Sequence, residues 1–178
     1  MRGAVILLVV IAAASSNATS QSPRMNHAGA AVAVAPCRGA DLSARHVTDD
    51  AAMGGQNLSV YAFKNNSPTS CTLMGYPRFE LLGKSGAVRP RGRAINSQQL
   101  PGDDTKQPPR LVTIEPGKEA GFRIYYNSGG AGYMGKPCPV SRKVRITAPG
   151  TTRRFVLKEQ ITSCQKVSVS AVTSEVRE

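Results

Sequence analysis

Four cysteines, Cys37, Cys71, Cys138 and Cys164, constrain this chain more than any other feature. Each neighbouring pair brackets a turn signal at its midpoint: residue 54 within Met53-Gly54-Gly55, and residue 151 beside Pro149-Gly150. An even set placed this way reads as two disulfides, each closing the open end of a hairpin. Facing residues of a hairpin have numbers that sum to a constant. Ile146 opposite Phe155 gives 301, and Cys138 with Cys164 gives 302. The pairing Cys37–Cys71 and Cys138–Cys164 is therefore the expectation among the three connectivities that four cysteines allow.

The first residues read as a secretory signal over 1–20. Arg2 precedes the apolar run Ala4 to Ala14, about half of the roughly 20 residues needed to span a bilayer. Cleavage is expected after Ala14 or Ser20. No cysteine precedes Cys37, so no lipobox is expected, and no later segment reads as membrane-spanning. Residues 21–36 resemble a flexible tether, and 37–178 are long enough for one domain with its own core. Export to an oxidising place, periplasmic or extracellular, suits the cysteines. Each disulfide adds roughly 3–4 kcal/mol for loops of about 25–35 residues.

Period-two alternation recurs along the domain. Leu58–Phe63 is apolar on both faces, as a central strand would be. Ala120, Phe122, Ile124 and Tyr126 share one face. Further strands are expected at Cys71–Leu73, Phe79–Leu82, Leu111–Ile114, around Val144 and Ile146, at Arg153–Lys158 and at Val167–Ala171. The one place that allows a helical turn is Ala40 to Ala44. The fold class expected is all-β, a single antiparallel immunoglobulin-like β-sandwich with two disulfides.

The run Asn66-Ser67-Pro68-Thr69-Ser70-Cys71-Thr72-Leu73-Met74-Gly75-Tyr76-Pro77 resembles a bacterial domain family of unknown function. That family is widespread in exported proteins and lipoproteins, notably of actinobacteria. Its core is Asn-x-Ser, then Cys-Thr-Leu-x-Gly-Tyr-Pro, then Pro-Gly. Pro116-Gly117, Cys138-Pro139, Pro149-Gly150 and Ser163-Cys164 follow in order, so the resemblance covers roughly residues 37 to 172. It implies a secreted β-sandwich with no established activity. Many relatives carry a lipobox that this chain lacks. In the Tyr76-Pro77 step, the tyrosine ring is expected to pack beneath the loop with its hydroxyl bonded to backbone.

Catalytic chemistry finds little support. Of two histidines, His27 lies in the tether and only His46, in or near the first strand, could serve a nucleophile. Asp49 and Asp50 run away from it if the strand is extended. Asp49-Asp50 and Asp103-Asp104 read as solvated turn acids, not as an acid/base pair. Gly130-Ala131-Gly132-Tyr133-Met134-Gly135-Lys136 has the spacing of a phosphate-cradling loop, but Pro137 replaces the hydroxyl residue that would hold magnesium. Met53, Met74, Met134 and His46 raise copper handling, without Met-x-Met or His-x-Met spacing. No cofactor and no metal ligand set is expected. The connection Asn96 to Arg110 reads as mobile.

Charge is the stronger signal. The chain carries 23 Lys and Arg against 11 Asp and Glu, a net +12. Outside the cytoplasm this favours anionic partners, and no nucleic-acid recognition motif accompanies it. Arg89, Arg91 and Arg93 would share one face of an edge strand, roughly 6–7 Å apart. Arg142, Lys143 and Arg145, with Arg153 and Arg154, form a second concentration around one hairpin. On one sheet the two groups would make a surface for phosphate or carboxylate; on opposite sheets they would only solubilise. The scattered arrangement is slightly the expectation. The functional reading is a non-enzymatic envelope or extracellular module for an anionic surface or partner protein. A copper-handling protein and a small hydrolase are the alternatives.

Overall fold

Short strands punctuated by glycine and proline turns build the domain, seen in a computed structural model that describes residues 33–129 and 137–176. The expected signal, most of the expected tether and the loop 130–136 lie outside the described residues. Ala35 and Pro36, assigned to the tether, run beside Thr72, whose amide donates to the Ala35 carbonyl at 2.9 Å. Instead of a helical turn over Ala40 to Ala44, one 3-10 turn occupies Gly39–Asp41. Strand β1 (Leu42–Ala52) starts immediately after it.

β1 returns on β2 (Gln56–Asn65) through a second 3-10 turn at Met53–Gly55, where the cysteine spacing puts it. Gly54 and Gly55 take φ of +79° and +76°. A Cβ on Gly55 would meet the Gly129 carbonyl oxygen at 1.9 Å, so only glycine fits. The remaining strands are β3 (Cys71–Leu73), β4 (Arg78–Leu82), β5 (Val88–Arg93), β6 (Ile95–Asn96), β7 (Val112–Ile114), β8 (Glu119–Asn127), β9 (Val140–Ser141), β10 (Lys143–Thr147), β11 (Arg154–Leu157), β12 (Ile161–Thr162) and β13 (Ser168–Val169).

The fold is all-β. The expectation of one antiparallel sandwich is too simple, because the described strands form four sheets. Five strands run in the order β1-β2-β8-β13-β6, and four in the order β11-β10-β4-β5; β12-β9 and β3-β7 are short pairs. Only Ala94 separates β5 in one large sheet from β6 in the other, so the chain changes sheets there. β6 then lies parallel to β13.

One core serves both large sheets. Tyr61 and Phe63 of β2 stack on Phe122 of β8, with ring centroids 5.6 and 5.1 Å apart. The same two residues meet the opposite sheet through Phe79 of β4 at 5.3 Å and Phe155 of β11 at 6.2 Å. As the alternation predicts, Ala120, Phe122, Ile124 and Tyr126 are buried. β2 is central, flanked by β1 and β8.

Both disulfides pair as expected, Cys37 with Cys71 and Cys138 with Cys164. Ile146 faces Phe155, while Ile161 faces Ser141 and Thr162 faces Val140. The second ladder therefore carries the cysteines' own constant, and the one-residue step between the ladders falls at Arg142.

Two polar residues hold irregular segments. Buried Asn65 donates from Nδ2 to the carbonyls of Thr69 (2.8 Å) and Ile114 (2.9 Å), and its Oδ1 accepts from the Ser67 amide and hydroxyl. Asp103 corrects the solvated-turn reading. It pairs with Arg123 at 2.5 Å, caps the Leu100 amide, and its side chain is only 8% exposed. Together with buried Leu100 it anchors the connection expected to be mobile.

Candidate functional site

The four-stranded sheet collects the charge. Its strands β4, β5, β10 and β11 carry seven Arg and Lys and one acid, Glu80. The five-stranded sheet carries three Arg and Lys and three acids. Arg89, Arg91 and Arg93 and, from the second group, Lys143, Arg145 and Arg154 therefore fall on one sheet, with β4 between β5 and β10, against the scattered arrangement; Arg142 and Arg153 lie just outside its strands. Sequence order alone conceals this, because β4 and β10 are joined only through tertiary pairing.

Glu80 organises the face. Register sets it opposite both Arg93 and Arg145. Its carboxylate accepts from Arg145 Nε at 2.7 Å and lies 3.4 Å from Arg93 Nε. The Glu80 side chain is 4% exposed, covered by its two partners. Burying a carboxylate is costly unless it is paired and hydrogen-bonded in this way. Val144 and Ile146 point into the core, so Lys143 and Arg145 point outward along β10.

The six predicted residues divide. Arg91, Arg142 and Lys143 are exposed. Arg93 and Arg145 share Glu80. Arg89 is the correction: it donates to the carbonyls of Pro139 (3.3 Å) and Ser163 (3.2 Å) beside the second disulfide. Burial lowers its pKa, and its Nε is buried without a partner among the described residues. The expected one-face arginine row fails because Arg91 adopts φ +58° and the β4–β5 register shifts between Glu80 and Leu82. The bulge breaks the alternation.

At the end of this sheet opens a groove of about 420 Å³ that the residue pattern did not reveal. Its lining includes Tyr76, Arg78, Arg93, Thr147, Thr152 and Arg154, and no carboxylate. Arg78 faces Thr147, which faces Arg154, across three adjacent strands. The doublet Arg153-Arg154 was a visible signal, but only one member contributes. Arg153 lies 5.6 Å over the Phe155 ring and reaches the Ala40 carbonyl. The Tyr76 hydroxyl makes no hydrogen bond among the described residues, contrary to the backbone bond expected for it.

A second cluster forms on the five-stranded sheet. A register shift between His46 and Thr48 brings His46 and Asp49 onto one face, where extended chain would separate them. His46 Nε2 lies 3.0 Å from Asp49 Oδ1, and Nδ1 lies 3.9 Å from Glu159. Buried Ser59 donates to that same Asp49 oxygen. The acid therefore stands between serine and imidazole, so His46 holds no nucleophile, and the arrangement lacks the order acyl transfer needs. Burial first, then the nearby acids, raises the pKa of Tyr61, and burial likewise raises that of Tyr126. Among the described residues no three His, Cys, Asp or Glu form a metal-binding group. Met74, one of the copper candidates, is exposed, and Met134 lies outside the described residues.

Disulfides of this kind mark a domain of an oxidising, extracytoplasmic place. No helix among the described residues is long and apolar enough to cross a membrane. Residues 37–176 match the family described as Domain of unknown function (DUF4232). The chain belongs to this family. No curated protein and no solved structure matches it. The matched span runs from the first disulfide through both large sheets and includes every residue of the basic face and groove.

Proposed function

We propose that this protein is an exported binding module whose four-stranded sheet recognises an anionic component of the cell envelope. The observation that carries the reading is charge segregation: seven basic residues against one acid on this sheet, three against three on the other. A basic protein without a binding role would be expected to spread its excess evenly. Such a face attracts polyanions over a Debye length, about 8–10 Å at ordinary salt. Arg91, Arg142 and Lys143, which pair with no carboxylate among the described residues, supply direct contacts. Arg93 and Arg145 are held in place by Glu80 and offer their remaining donors.

The supporting frame is read as an immunoglobulin-like sandwich, since the two large sheets face each other through Tyr61, Phe63, Phe79 and Phe155. The N-terminal apolar segment is read as the secretory signal that delivers the domain. Cys71 to Pro77 is read as the family's signature. A partner protein with an acidic surface would engage the same face.

Co-sedimentation of the purified protein with cell-envelope fractions across a salt series tests this. Binding should weaken steadily as salt rises and fall at least tenfold when Arg91, Arg142 and Lys143 become serine. Binding indifferent to salt and to these substitutions would contradict the reading.

A further inference from the structure

We propose that the groove between the Tyr76-Pro77 step and the Pro149-Gly150 turn is a subsite for one sugar unit bearing a phosphate or carboxylate. The inference deepens the anionic-face reading and rests on it. It assigns a pocket and a repeat unit where that reading assigns only a surface.

Unneutralised arginine is the first argument. Most arginines of the domain have partners: Arg45 holds Glu119, Arg123 holds Asp103, Arg145 holds Glu80, and Arg89 holds two carbonyls. Arg78 and Arg154 have none among the described residues, although both line the groove and no acid does. Neighbouring strands lie about 4.8 Å apart, so the Arg78 and Arg154 backbones bracket Thr147 at roughly 10 Å. An arginine side chain is long enough to reach one oxyanion held between the two. Guanidinium forks donate in pairs to phosphate or carboxylate, and Arg93 can add donors not engaged by Glu80.

Unpartnered hydroxyls are the second. Tyr76, Thr147 and Thr152 line the same space, and their hydroxyls bond to no described residue. A lone inorganic anion would not need them; a polyhydroxylated carrier would. The tyrosine ring, half-buried above buried Pro77, offers an apolar face on which a sugar ring can rest. About 420 Å³ lies at the lower end of small-molecule sites, enough for one or two sugar units.

The walls are also fixed before any ligand arrives. Gly75, at φ +116°, accepts from the Val172 amide at 3.0 Å, which sets the approach to Tyr76. On the other side Thr151 donates from both its amide and hydroxyl to the Ala148 carbonyl, closing the Pro149-Gly150 turn. Preorganised walls lower the ordering cost of binding.

The test is titration of the protein with glucose 1-phosphate and with glucuronate, followed by amide chemical shifts, with glucose and inorganic phosphate as controls. Saturable shifts confined to Tyr76, Thr147 and Thr151–Arg154 are expected with at least one anionic sugar. The stronger of the two identifies phosphate or carboxylate as the group. Arg78→Gln with Arg154→Gln should weaken that binding at least tenfold, Tyr76→Ala several-fold, and the charge-matched pair Lys84→Gln with Lys118→Gln not at all. Equal binding of uncharged glucose, no saturation at these residues, or indifference to the arginine variant overturns the proposal. If those outcomes coincide with salt-sensitive envelope binding, the subsite fails and the anionic face stands. If the groove binds but the protein does not sediment with envelope material, the face fails.

Discussion

Glu80 decides how much of the sheet's charge is available. It is the one acid among the strands of the basic sheet, and it draws two arginines onto itself. Glu80→Gln should cost about 1–3 kcal/mol in denaturant unfolding, since a buried charge-assisted network loses its charge. The same change should tighten binding to anionic envelope material, because Arg93 and Arg145 are released. Weaker binding together with lower stability would show that Glu80 shapes the contact surface itself. Asn65 is the structural counterpart. Asn65→Ala removes two donors and an acceptor supplied by a fully buried side chain to the turn that follows it and should cost about 2–3 kcal/mol. The Arg45 fork holds the Glu119 carboxyl below its ordinary value. A depressed folded pKa stabilises above the unfolded value and loses that stabilisation as pH falls through the folded one. Both groups are partly solvent-exposed, so Glu119→Gln should cost no more than about 1 kcal/mol at pH 7, a loss that fades as pH falls through the lowered carboxyl value. A loss that persists at acid pH would place its origin elsewhere.

Strands were legible in the residue pattern wherever alternation was clean, and illegible wherever a bulge interrupts it. β2, β8 and the β10–β11 hairpin follow their apolar residues, and ladder arithmetic carries the second disulfide, Cys138–Cys164. Two bulges undid the site reading. One breaks the arginine row of β5 at Arg91, and the other brings Asp49 to His46. Bulges depend on what the neighbouring strand offers, which local sequence does not state. Arg89 and Arg91 should therefore behave differently despite their spacing. Arg89→Ala unties β5 from the Pro139 and Ser163 carbonyls and should cost about 1–2 kcal/mol with little effect on anion binding. Arg91→Ala should leave stability within about 0.5 kcal/mol and weaken binding. Unfolding curves and co-sedimentation of the two variants, side by side, read the contrast directly.

At the scale of the whole molecule, the groove and the basic face arise from which strands become neighbours. Arg78, Thr147 and Arg154 share a row only because β10 lies between β4 and β11. Composition announced the charge, but only topology shows that it is segregated between the sheets. That segregation separates a binding face from a merely basic protein, and it sets the most direct measurement. Two charge-matched variants should be compared for envelope binding at low salt. One exchanges Arg91 and Lys143 on the four-stranded sheet for serine; the other exchanges Lys64 and Lys118, at and beside the five-stranded sheet, for serine. The first is expected to lose most of its binding while the second stays close to the unsubstituted protein. Equal losses in both would show that net charge alone governs attraction, and would contradict a dedicated face.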